Sequence, residues 1–145
     1  MARGAHPLFT DFSYDNIGVP ANPANPFYSM NKSINPHGRS YADKGLGTTT
    51  RNQKQDGKFK VPTLRNIAQT APYMHNGIFT TLREVIDFYN TRDVDKKWPA
   101  PELNNNVNTE ELGDLKLSKN EIDDLVAFLN TLNDGYKWPQ IARQK

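Results

Sequence analysis

A chain of 145 residues with 18 basic and 16 acidic side chains has a formal net charge of +2, and that balance, with no Lys/Arg run, argues against nucleic acid as its partner. A hydrophobic fraction of 36% and a mean hydropathy of −0.78 describe a polar chain with a limited core, while two Trp, six Tyr and seven Phe separate it from disordered sequences. The absence of cysteine excludes disulfides, thiolate metal sites and thioether-linked prosthetic groups.

The first residues carry no signal peptide, because Arg3, His6 and Asp11 leave no room for its apolar region, and no later run is apolar enough to span a bilayer. Residues 1–58 show almost no helical period. Pro, Asn and Gly punctuate them at 16–26 (NIGVPANPANP), 35–38 (NPHG) and 45–47 (GLG), which predicts turns. Phe9, Phe12, Tyr14, Phe27, Tyr28 and Tyr41 interleave this stretch. Such a segment either wraps a large flat cofactor or packs as a loop-rich lobe on the helices.

Regular structure is predicted after Phe59. Pro62 or Thr63 opens a short helix with Leu64, Ile67 and Ala68 on one side. Residues 70–77 (TAPYMHNG) read as a turn, since Pro72 lacks a donor and Gly77 permits positive φ. A second helix starts near Thr81, with Thr81 and Glu84 as a capping box and Leu82, Val85, Ile86 and Tyr89 facing the core. Residues 91–116 are polar, with a Pro-Ala-Pro and an Asn run, and read as a surface excursion. Ser118 and Glu121 form another capping box, opening a helix whose apolar face is Ile122, Leu125, Val126, Leu129 and Leu132. Gly135 and Pro139 end it. No strand or internal repeat is predicted.

Few residues suggest chemistry. The histidines are His6, His37 and His75, and no HExxH, GxSxG, P-loop or GxGxxG is present. Asp123 and Asp124 are adjacent on a helix, so they read as a solvated face and not as a catalytic pair. Met74 and His75 share a constrained turn beside Tyr73; thioether and imidazole are both axial ligands of haem iron. By pattern alone, such a Met is more often packing, such a His a hydrogen-bonded structural residue, and Tyr89 a core aromatic with a satisfied hydroxyl.

The run FKVPTLRNIAQTAPYMHNGIFTTLREVIDFYN, residues 59–90, resembles the C-terminal haem domain of the bacterial di-haem cytochrome c peroxidase and MauG family. Its specific parts are PTLRN at 62–66, TAPYMHNG at 70–77 and TLREVIDFY at 81–89. PLFTDFSYDNIGVP at 7–20 is similar to the stretch after the family's second haem-attachment motif, and the final helix ending in AFLNTL fits as well.

The resemblance implies a mainly α, loop-rich, cytochrome c-like fold, with residues 1–145 as one domain and the first haem domain absent. It implies Tyr89 as axial ligand of the second haem, where the peroxidases use methionine and MauG-like proteins tyrosine. Met74 then lines the pocket, and His75 is a second-shell histidine near that haem. Thr70 and Pro72 match positions whose backbone carbonyls bind a calcium ion between the two haems. Lys60 and Arg65 match propionate partners, against the plainer reading of ordinary surface cations.

The family's CxxCH motif is missing. The chain opens Met-Ala-Arg-Gly-Ala-His-Pro, where Ala2, Ala5 and His6 have the CxxCH spacing without its cysteines. Either His6 ligates a haem held without covalent bonds, or residues 1–6 are an accidental start and no haem site is complete. The function implied is a periplasmic haem-binding electron-transfer domain. It would work with a separate peroxide-reactive haem domain or chain and with an electron-transfer protein. The alternative is a haem-free structural or binding subunit that docks on a multihaem cytochrome.

Overall fold

The two capping boxes read from the sequence open the two longer helices. The chain was described through a computed structural model, which covers residues 8–135. Helix α2 spans Leu82–Thr91 and α3 spans Lys119–Thr131. At each start the cap hydroxyl accepts from the third helical amide, while the glutamate reaches back to the cap amide, 2.9 Å at Thr81 and 2.8 Å at Ser118. The Thr80 amide, with that of Thr81, holds the Glu84 carboxyl below the usual range, and the Ser118 amide does so for Glu121. The two helices pack together, and an Arg83–Asp123 ion pair joins them at the surface.

Phe88 on α2 is fully buried, with Phe79 and Trp98 centred 5.1 and 5.3 Å from its ring. Val19, Tyr73, Phe79 and Leu82 complete this cluster, and Tyr89, Met74 and Leu129 pack against it. The expected inner face of α2 is therefore widened by Phe88, because the 91–116 segment brings Trp98 over a side that the period alone leaves open. On α3 the expected face is only partly covered: Ile122 is buried, but Leu125 is 39% exposed. Phe128, next to it, is 46% exposed and meets Phe9 edge-to-face.

The rest of the architecture corrects the sequence reading. Besides α2 and α3 the described residues hold one further α-helix, α1 (Leu46–Thr50), and otherwise mostly loops and short 3-10 turns, so "loop-rich" holds better than "mainly α". Helix α1 escapes the period because it has five residues and ends at Arg51 with φ 53°. The unpredicted strands β1 (Tyr14–Asp15) and β2 (Phe59–Lys60) pair antiparallel, Tyr14 with Lys60 and Asp15 with Phe59. The helix expected from Pro62 shrinks to a 3-10 turn at Ile67–Gln69. Asn66 stops it at φ 59°, where its amide donates to the Leu132 carbonyl and its side chain exchanges bonds with Asp134.

Residues 91–116 are also more than an excursion. Arg92 is buried and donates to the Ile17 carbonyl at 2.8 Å and the Asn108 carbonyl at 2.7 Å. Pro101 bridges Pro20, and the Glu102 amide donates to Val19. The segment is a strap that returns over the N-terminal loops. Among the described residues no helix is long and apolar enough to cross a membrane.

Urea unfolding should rank these positions. Phe88→Ala should cost about 3–5 kcal/mol, Ser118→Ala about 1 kcal/mol, and half-exposed Leu125→Ala less than about 1.5 kcal/mol. A Leu125 loss equal to that of Phe88 would contradict the burial described.

Candidate functional site

The turn at residues 70–77 is built from backbone geometry that few sequences supply. The Ala71–Pro72 peptide is cis, Met74 has φ 69° and Gly77 has φ 67°. The Tyr73 amide donates to the Phe79 carbonyl at 2.7 Å, and Tyr73 Oη donates to Ile67 at 2.9 Å. Asn76 donates to the Pro20 carbonyl, and Asn22 donates to the Asn76 carbonyl, so the turn is tied to the loops beneath it. This geometry presses Met74 against the core and turns His75 away from it.

His75 joins a polar cluster that sequence reasoning missed. Its Nε2 lies 3.0 Å from Glu102 Oε2, and its ring stacks on Phe59 at 3.9 Å and 7°. Tyr28 Oη reaches the other Glu102 oxygen at 3.5 Å. Burial first, then the Glu102 charge, raises the Tyr28 pKa. Glu102 lies in the polar strap, and nothing local in the sequence marks it as a histidine partner.

Tyr89 follows Phe88 on α2, and its ring packs against the core. Its hydroxyl makes no hydrogen bond with any described residue, unlike that of Tyr73. Desolvation raises its pKa, and the negative charge of Asp15 raises it further, so the oxygen keeps its proton at neutral pH. A hydroxyl that no described residue bonds is free to face a group that supplies an electrophilic atom.

The other expected residues lie around this centre at the surface. Lys60 Nζ donates to the Val61 carbonyl and sits 4.9 Å above the Phe12 ring. Arg65 is exposed, and its amide donates to Thr63 Oγ1. Thr70 and Pro72 are exposed, and the Thr70 hydroxyl bonds the Ile67 carbonyl. His37 is exposed in the loop before a 3-10 turn. His6 lies outside the described residues. The structure thus brings Tyr89 and Met74 to one core cluster, sends His75 to Glu102 and leaves the cations outside. Among the described residues no group of three or more His, Asp or Glu side chains is arranged to hold a metal ion.

No family model matches the sequence. The methylamine utilization protein MauG of Paracoccus denitrificans (strain Pd 1222) is 41% identical over 94% of this chain and 38% of its own length. The cytochrome-c peroxidase IdrP1 of Pseudomonas sp. (strain SCT) is 35% identical over 88% of this chain and 34% of its own. The chain therefore spans little more than a third of these relatives. Among solved structures, the diheme peroxidase BthA from Burkholderia thailandensis E264 superposes with a TM-score of 0.62 at 30% identity, over 88% of this chain and 35% of that one. A MauG-like protein associated with microbial copper homeostasis gives a TM-score of 0.59 at 31% identity, over 92% of this chain and 37% of its own.

In the chain without added cofactor, Tyr89→Phe should melt close to the parent temperature, because it deletes a hydroxyl that bonds no described residue. Tyr73→Phe should lose about 1 kcal/mol with its backbone bond. A Tyr89→Phe loss as large as that of Tyr73→Phe would show that the Tyr89 hydroxyl has a partner.

Proposed function

Because the chain belongs to the MauG and di-haem cytochrome c peroxidase family, we propose that it is the haem-binding, electron-transfer part of such a protein. It works beside a separate peroxide-reactive haem carried by another domain or chain. The observation that carries this reading is the 41% identity to a MauG over 94% of this chain, and within it Tyr89 offers a hydroxyl that no described residue bonds. A haem bound there supplies a one-electron couple.

The chain's own residues have distinct tasks in this proposal. Tyr89 Oη would lose its proton and offer an anionic oxygen to the iron, which favours the ferric state. Met74 would line the pocket. His6 would be a second nitrogen donor, and without cysteine the haem would be held non-covalently. Lys60 and Arg65 pair with the propionates, and Lys60 gives up its Val61 contact to do so. His75, fixed by Glu102, holds the turn that presents Met74. The Thr70 and Pro72 carbonyls contribute to a calcium site completed by a partner domain. An electron-transfer protein is the external partner, and the periplasm is the compartment of this proposal. One observation favours the haem-free docking subunit as a second reading: Leu8, Phe9, Leu125 and Phe128 are exposed, and Phe9 and Phe128 touch.

Absorption spectra of the protein mixed with ferric haem decide between these readings. The leading reading expects a Soret band. It also expects a phenolate-to-iron charge-transfer band that Tyr89→Phe abolishes, with a change of spin state. No Soret band leaves the haem-free subunit, and an unchanged ferric spectrum in haem-loaded Tyr89→Phe removes Tyr89 as ligand.

For calcium, titration calorimetry on the chain alone should detect no micromolar binding, since Thr70 and Pro72 are only part of the proposed ligand set. Micromolar binding by the isolated chain would contradict the shared site.

A further inference from the structure

We propose that Trp98 is the surface electron-transfer residue for the Tyr89 site, with Lys97 controlling how readily its indole gives up an electron. The inference rests on the haem reading above. Trp98 is half-buried on the strap. Its covered side meets Phe88 edge-to-face at 5.3 Å and Phe79 at 5.8 Å. Phe88 is fully buried, and its ring centre lies 6.2 Å from that of Tyr89. A continuous set of rings therefore leads from the surface to the phenol, with no water-filled gap at Phe88. Within this set the indole and the phenol are the readily oxidised groups, and the phenylalanines fill the space between them.

The surroundings of the indole match this task. Trp98 Nε1 donates to Thr91 Oγ1 at 2.9 Å, which fixes the ring and keeps its proton in place. Lys97 Nζ lies 4.6 Å from the ring centroid. Asp87 holds that ammonium at 2.6 Å and Asp95 at 3.4 Å. A cation over the ring stabilises the neutral indole and opposes the positive charge that oxidation would leave on it. The two carboxylates offset part of that field.

The step is a one-electron transfer. An electron would leave the indole π system for an oxidised haem held at Tyr89, and the indole would become a cation radical with Nε1 still protonated. A one-electron donor at the surface then restores the indole.

The test uses a soluble flash-generated ruthenium(III) tris-bipyridine oxidant. Trp138, the other tryptophan of the sequence, is replaced by Phe throughout. In haem-free protein, the transient absorption of the indole radical should appear about fivefold faster or more in Lys97→Gln, where the repelling charge is gone. Lys97 is half-exposed, so this variant keeps the fold. In protein loaded with ferrous haem, flash oxidation should convert the haem to the ferric form through the indole, at least about tenfold more slowly in Trp98→Phe. Two outcomes overturn the relay while leaving the haem reading intact: equal haem oxidation rates in Trp98→Phe with a Soret band present, or an unchanged indole rate in Lys97→Gln. Absence of a Soret band overturns the haem reading and the relay with it.

Discussion

Asn90 sits in the last turn of α2, buried, and its side-chain amide pairs with the backbone of Leu117 in both directions. Nδ2 donates to the Leu117 carbonyl at 3.1 Å, and Oδ1 accepts from the Leu117 amide at 2.8 Å. A chain that runs mostly through loops must still pair the peptide groups it buries, and here asparagine does much of what a sheet would do. Asn16 donates to the Leu103 and Asn105 carbonyls and accepts from the Gly18 amide. Asn35 closes its own loop through the Phe27 and Gly38 carbonyls and the His37 amide. Asn66 does the same for the chain beyond α3. The core cluster and the Tyr89 centre depend on these pins, because they hold the strap and the N-terminal loops where Trp98 and Asp15 meet α2.

What could be read in advance follows from the range of each interaction. Both capping boxes join residues three apart, so their pattern is visible in the sequence and the helices begin where it puts them. The turn at residues 70–77 is legible for the same reason, through Pro72 and Gly77. Phe88, Trp98 and Glu102 were not legible as a core, a cover and a histidine partner. Their contacts cross between the strap and distant loops, and no periodicity encodes such a crossing. The Asn run looked like surface because asparagine usually is. Its side chains are indeed exposed, but the run also supplies acceptors to buried Asn16, 89 and 90 residues away, and only the folded chain shows that.

The candidate site shows a similar division. Tyr89, Met74 and His75 were all found in the sequence, but their surroundings separate them. His75 has a carboxylate and a stacked ring, so its bonding is provided for within the fold. Tyr89 packs against the core cluster, and its hydroxyl has no acceptor among the described residues. Two side chains that look alike as candidates thus differ in whether the chain satisfies them. The surface of α3 carries the other imbalance, since it leaves two large apolar side chains, Leu125 and Phe128, open.

Reliance on asparagine also has a consequence for chemical ageing. Asn76 is followed by Gly77, the pairing in which an asparagine most readily cyclises onto the next amide and ends as aspartate. Here its Oδ1 accepts from the Ile78 amide at 3.2 Å while its Nδ2 donates to the Pro20 carbonyl at 2.8 Å. Cyclisation would have to break both bonds and turn the side chain back on its own backbone. Its product would face the Pro20 carbonyl with a carboxylate, an acceptor against an acceptor. The bonds that hold the turn in place thus also guard its most perishable amide, and a lesion there would release the turn from the Pro20 loop without any change in the core.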